Sequence, residues 1–193
     1  MRNRPKLYFI TGNTHKFAEV SELFAQEKVD FKLEQLDLDP VEIQADTLKE
    51  VAQAKLNSVI SEVNASCFIE DAGFFVESPL KGFPGVYSSY VFKTIGNKGI
   101  LRLIDDFESS KAHFSSVIAL YYNASGKIHL FKGRVNGRVS TKIRGTEGFG
   151  YDPIFIPNAQ PDKTFAELSQ FEKNIISHRG KALKKLIEFF KKL

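Results

Sequence analysis

Two adjacent carboxylates, Glu70 and Asp71, stand in the middle of an otherwise apolar stretch, FIEDAGFFV, at residues 68–76. Acids in such surroundings are rarely buried without a partner, so their chemistry depends on the cation that faces them. Glu42, in the segment DPVEIQ, adds a third hard oxygen donor. Mg2+ commonly takes one or two carboxylates together with substrate phosphates. A carboxylate beside such an ion can also accept a proton from an attacking water. The competing reading is structural: two acids at the end of an edge strand, held by nearby lysines.

Cationic and anion-binding candidates lie elsewhere in the chain. TGNTHK, residues 11–16, falls at a strand-to-helix junction, where exposed backbone N–H groups and the positive helix end favour an anion. Gly12 permits close approach, Asn13 can cap the helix, and Lys16 adds charge one turn in. The phosphate loop Gly-x-x-x-x-Gly-Lys-[Ser/Thr] occurs nowhere in the sequence. Lys55 falls on the apolar arc of its predicted helix with Ala52, Leu56 and Val59, so its ammonium needs a partner or a route to water. In SHRGKA, residues 177–182, Ser177 can cap a helix whose first turn carries His178 and Arg179. Cations there oppose the helix dipole unless an anionic or carbonyl-bearing ligand is bound. In EGFGYDPIF, residues 147–155, Gly148 and Gly150 flank Phe149, a ring that a mobile backbone could offer to a flat ligand. His15, His113 and His129 show no metal-ligand spacing.

The elements that must hold these residues follow from periodicity and punctuation. KLYFIT (6–11) reads as a buried strand and residues 14–27 as a helix with Phe17, Val20, Leu23 and Phe24 inward. A strand near 31–38 follows, then a helix over 46–63 opening with the capping box Thr47-x-x-Glu50. The strand bearing Glu70 and Asp71 leads into a Gly/Pro-rich loop over 78–89 and a helix near 98–107. Two β-rich runs over 113–140 flank Asn123-Ala124-Ser125-Gly126 and predict a hairpin. A strand at DPIFIP and a helix from 178 to 193 complete the pattern. Its inward stripe is Leu183, Leu186, Ile187, Phe190 and Leu193. Mixed crossover and hairpin connections predict an α/β domain on a mixed sheet.

Bulk composition narrows the field modestly. A chain of 193 residues, 42% hydrophobic and 26% charged, suits one large domain with its own core. No apolar run reaches bilayer-spanning length and the amino terminus lacks a secretory pattern, so a cytoplasmic protein is expected. A single cysteine, Cys67, excludes an intramolecular disulfide. The net charge of +4 resides at the end of the chain: residues 173–193 carry +6 and the rest −2. With only Phe189 and Phe190 as aromatics in that helix, no nucleic-acid partner is expected.

Taken in order, TGNTHKFAEV, VEIQ, EDAGFFV, GFPGVYS, GFGYDPIF and ISHRGKAL resemble the Ham1-type inosine triphosphate pyrophosphatases, the noncanonical purine NTP pyrophosphatases. The matching segments run from residue 11 to 184. One departure is Ala72, where many members carry Ser after the Asp; a backbone contact there would survive and a hydroxyl contact would not. The resemblance implies a single nucleotide pyrophosphatase domain over residues 1–193. Its fold would be an elongated mixed β-sheet flanked by helices, in two lobes with a central cleft (ITPase/Maf-like), usually as a homodimer. It implies Mg2+-dependent hydrolysis of ITP, dITP and XTP to the monophosphate and pyrophosphate. Glu42 and Asp71 would hold the metal, with Asp71 also the base for water. Thr11, Gly12, Asn13, Thr14, His15 and Lys16 would cradle the triphosphate with Lys55 and Ala72. Phe149 would stack on the purine, with Gly150, Tyr151, Asp152, Lys173, His178 and Arg179 around the base. A related enzyme acting on pyrimidine or modified nucleotides is the alternative.

Overall fold

The computed structural model describes residues 4–107 and 110–193. Among these, strands β1 (Lys6–Ile10), β2 (Lys32–Leu36), β3 (Ser66–Val76), β4 (Pro84–Gly85), β5 (Lys111–Tyr122), β6 (Lys127–Val139) and β7 (Phe155–Pro157) form one mixed sheet. The strand order is β2-β1-β3-β5-β6-β7, with β4 paired to β3. β1 runs parallel to both β2 and β3, whereas β4 on β3 and β7 on β6 are antiparallel. The helices are α1 (Thr14–Gln26), α2 (Leu48–Val59), α3 (Ser88–Thr94), α4 (Gly96–Leu103), α5 (Gln170–Ile176) and α6 (His178–Phe190). This is the predicted α/β class with a mixed sheet flanked by helices.

The described residues group into two compact units. One comprises residues up to Asp71, Ser116–Lys132 and Ala182–Leu193; the other comprises Ala72–Ser115 and Gly133–Lys181. Each has its own core. In the first, Leu7, Phe9, Val20, Phe24, Phe68 and Ile118 pack with Leu183, Leu186 and Ile187 of α6. Phe9 and Phe68 sit opposite each other in the parallel register of β1 and β3, and their rings stack at 4.5 Å. Burial of such a side chain contributes about 1.5–3 kcal/mol. In the second unit Phe74, Phe114, Tyr151, Phe155 and Phe165 form an aromatic core with Ile100 and Ile154.

The helices start where side chains can satisfy their first N–H groups. Asn13 Oδ1 accepts from Lys16 N at 3.1 Å to open α1. At α2 the predicted box is complete: Thr47 Oγ1 accepts from Glu50 N, and Glu50 Oε2 accepts from Thr47 N. Ser169 and Glu172 make the same box at α5. Each such cap stabilises by about 1 kcal/mol.

Several boundaries differ from the sequence expectation. α3 lies where a loop runs into unassigned sequence, and α4 occupies Gly96–Leu103 instead of 98–107. A 3-10 turn at Asp152–Ile154 precedes β7, so DPIFIP is a strand only in its second half. α5 is an additional short helix. Leu193 lies beyond the end of α6 and is exposed, so it leaves the stripe that Leu183 to Phe190 maintain.

Candidate active site

Glu70 and Asp71 occur side by side on β3 and are both buried, but they face different cations. Lys16 Nζ lies 2.8 Å from Glu70 Oε2 and donates to the Glu70 carbonyl oxygen at 3.2 Å. The other carboxylate oxygen of Glu70 accepts from Ser116 Oγ of β5 at 2.7 Å. Lys55 Nζ donates to Asp71 Oδ1 at 3.0 Å and to Glu42 Oε1 at 2.9 Å. Glu42, Lys55, Asp71, Glu70 and Lys16 therefore form one connected charge cluster, drawn from α1, α2, β3 and the segment before α2.

Local structure explains how distant residues arrive there. Alternation in a strand sends successive side chains to opposite faces, which separates Glu70 from Asp71. Lys55 lies on the inward arc of α2 among Ala52, Leu56 and Val59, as periodicity predicts. Its neighbour Ser58 donates to the Lys55 carbonyl at 2.8 Å and accepts from Val41 N at 3.0 Å. That contact ties the 41–42 segment to α2 and sets Glu42 beside Lys55. Glu42 remains largely exposed, with 65% of its side chain open to solvent.

Burial pushes the Asp71 carboxyl above the ordinary carboxylate range; Lys55 and Lys16 pull against this, and Glu70 adds to it. Burial likewise lowers Lys55, but Asp71 and Glu42 outweigh it and hold the ammonium above its usual value. Lys55 thus stays charged between two carboxylates.

The TGNTHK turn lies directly beside this cluster through Lys16. Thr11 Oγ1 accepts from Asn13 N at 3.1 Å, and Gln35 holds the Thr11 carbonyl at 2.8 Å. A Cβ at Gly12 would come within 2.8 Å of Asp37 Oδ1, a side-chain end that would have to turn aside. Thr14 and His15 open the first turn of α1 and are exposed. Ala72, half-buried, follows Asp71 on β3.

The second unit gathers the remaining candidates. Asp152 Oδ2 accepts from Phe149 N at 2.8 Å and from Lys173 Nζ at 2.7 Å. Lys173 Nζ lies 5.0 Å from the Phe149 ring centre, and the Arg179 guanidinium carbon lies 5.4 Å from it. Gly148 adopts φ +71°, and a Cβ there would collide with Asp152 Oδ2, so the turn requires glycine. Asn97 of α4 donates to the Gly150 carbonyl at 3.0 Å. His178 stacks on Phe114 at 4.7 Å, and Ser177 Oγ accepts from Gly180 N as the cap of α6. Tyr151 points into the core: its ring stacks on Phe74 and its hydroxyl donates to the Ser88 carbonyl at 3.0 Å. Burial drives its phenol pKa upward.

Sequence reasoning missed Ser116 and Ser58. Ser116 carried a readable signal, a hydroxyl inside the apolar run HFSSVIALYY that had to find a buried partner. Ser58 carried none, since a serine on a helix flank is ordinary.

The donor chemistry suits a hard divalent ion. Glu42 and Asp71 supply two oxygens within 3.0 Å of one ammonium, so the spot already accommodates positive charge. Among the described residues no group of three or more His, Cys, Asp and Glu side chains is arranged to bind metal by itself. Two carboxylates completed by phosphate oxygens and water is a usual Mg2+ arrangement.

Fold and site define an α/β protein with an acid–lysine centre beside a capped helix N-terminus, a setting that suits a phosphorylated ligand. A family model described as the Ham1 family matches residues 7–189. The chain belongs to the Ham1 family. The dITP/XTP pyrophosphatase of Thermococcus kodakarensis is 48% identical over 186 residues, covering 96% of this chain and 97% of that protein. That of Pyrococcus horikoshii is 47% identical with the same coverage. The Staphylococcus aureus Ham1 protein structure superposes with a TM-score of 0.82 at 27% identity, covering 97% of this chain and 98% of that one.

Proposed function

We propose that this protein is a nucleoside triphosphate pyrophosphatase that hydrolyses ITP, dITP and XTP to the monophosphate and pyrophosphate. The observation that carries the reading is Lys55 bridging Glu42 and Asp71 beside Lys16. Family membership and relatives named dITP/XTP pyrophosphatase support the substrate class. Anhydride cleavage needs charge neutralisation and a positioned water more than a protein nucleophile.

In this reading the Thr11–Lys16 turn and the N-terminus of α1 bind the phosphates, and Lys16 and Lys55 neutralise them. Glu42 and Asp71 would hold Mg2+, which supplies Lewis-acid neutralisation of phosphate charge when bound. Asp71 accepts the proton of the attacking water. Burial raises its proton affinity, which makes it a better base, while the two lysines pull the other way and favour its ionised form. Phe149 offers a ring to the purine, and Lys173, His178 and Arg179 offer donors to its 6-keto edge. A 6-amino group would leave such donors unpaired, which disfavours adenine. The same proposal includes a homodimer and a cytoplasmic location; no described helix is long and apolar enough to cross a membrane.

The test is product analysis with ITP, dITP, XTP and the common NTPs at equal concentration, with Mg2+ and with EDTA. Monophosphate plus pyrophosphate from the keto-purines, lost in EDTA and reduced about 10³-fold or more in Asp71→Asn, is expected. Release of single orthophosphates would overturn it. Preference for pyrimidine nucleotides would transfer the chain to the alternative substrate class.

A further inference from the structure

We infer that Glu70 is a positioning residue, and that with Ser116 it forms a buried anchor holding the Lys16 ammonium in place for the phosphates. This deepens the function proposed above and rests on it. Glu70 is adjacent to Asp71 and of the same chemical type, so sequence alone offers it as an additional metal ligand. The geometry points elsewhere. Its carboxylate is completely removed from solvent, and both oxygens are engaged by the protein: Oε1 by the Ser116 hydroxyl at 2.7 Å and Oε2 by Lys16 at 2.8 Å.

Lys16 meets Glu70 twice, through Oε2 and through the main-chain carbonyl at 3.2 Å. An ammonium has three donors. One is given to the Glu70 carbonyl while the ammonium rests as an ion pair against Oε2, which fixes the nitrogen at one residue and keeps donors for a ligand. A long flexible lysine loses rotamer freedom when ordered; the Glu70 clamp imposes that order before substrate arrives. Ser116, fully buried on β5, in turn fixes the carboxylate rotamer. If Lys16 left Glu70 to follow the phosphates, a buried carboxylate would lose its counter-charge. The stable arrangement keeps Lys16 on Glu70 and adds phosphate to it.

The test is a double-mutant cycle on Glu70→Gln and Lys16→Ala, with Ser116→Ala as a milder variant. The readouts are kcat and KM for ITP, and calorimetric binding of inorganic tripolyphosphate in EDTA. Glu70→Gln is expected to weaken tripolyphosphate binding and raise KM about ten- to hundredfold, the scale of a charge-assisted hydrogen bond. In the Lys16→Ala background the same change should cost less than about threefold, because the residue it positions is gone. Ser116→Ala should move both readouts in the same direction by a smaller factor. Should Glu70→Gln fail to fold, the Ser116→Ala and Lys16→Ala pair is read by the same cycle. Additive losses, or tripolyphosphate binding unchanged in Glu70→Gln beside an active wild type, overturn the anchor alone. A wild type that neither binds tripolyphosphate nor cleaves ITP overturns the anchor and the proposed function together.

Discussion

Each unit of the molecule contains an aspartate paired with a lysine, and the two pairs are built differently. In the first, Lys55 shares its charge between Asp71 and Glu42, and its side chain keeps 13% of its surface in solvent. In the second, Lys173 and Asp152 are 2% and 4% exposed, and Asp152 also anchors the Phe149 N–H. The first lysine has two anionic partners and a route to water, so it can exchange one of them for phosphate. The second is sealed, and its carboxylate fixes the Gly148–Gly150 turn. A pair that neutralises phosphate stays adjustable, whereas one that presents a ring and donors to a base is held rigid by burial and by the main chain. Burial of this kind is strongly penalised when broken, whatever its net value when intact.

The sharpest break of this comparison is Lys173→Met. It takes the ammonium away from the buried Asp152 carboxylate, and a loss of about 3–5 kcal/mol in unfolding free energy is expected from urea denaturation. The matching change, Lys55→Met, should cost only about 1–2 kcal/mol, because Asp71 retains Lys16 nearby and water can reach the site. Its kcat/KM for ITP should nevertheless fall about a hundredfold, since a phosphate-neutralising charge is removed. Equal destabilisation by the two variants would erase the distinction between an adjustable and a sealed pair.

The sequence reading and the structure agree most closely where local rules apply. Thr47 and Glu50 are three residues apart, and that spacing alone specifies the box that opens α2. Lys55 on an apolar arc announced that it needed a partner. The partner's identity was beyond reach, because Lys55 and Asp71 meet only after α2 packs against β3, and Lys16 reaches Glu70 across 54 residues. Alternation along β3 sends the two acids to opposite faces, a separation the sequence reading did not draw, and it could not have said which lysine waited on each. α3 and α5 are seven residues long, too short for a helical period to rise above its surroundings. Tyr151 illustrates another limit. It lies two positions from Phe149, but the 3-10 turn that follows directs its ring into the core, and adjacency in sequence carries no such direction.

The finest test concerns the sign of Asp71's own contribution to stability. Burial raises its carboxyl pKa despite both lysines, so the folded chain holds the Asp71 proton more tightly than the unfolded chain does. Below the ordinary value of 3.8 both states are protonated and Asp71 contributes nothing. As pH rises from there to the folded pKa, the unfolded state ionises first and the native state loses stability relative to it. Above the folded pKa that penalty is fully present and constant. Asp71→Asn cannot ionise and escapes it. In metal-free buffer above the folded pKa its thermal midpoint should exceed that of wild type, and the difference should shrink on acidification and vanish below pH 3.8. A midpoint lowered above that pH would mean that Lys55 and Lys16 outweigh burial. Asp71 would then belong with Asp152 as a stabilising acid, instead of one kept at the expense of stability for its use as a base.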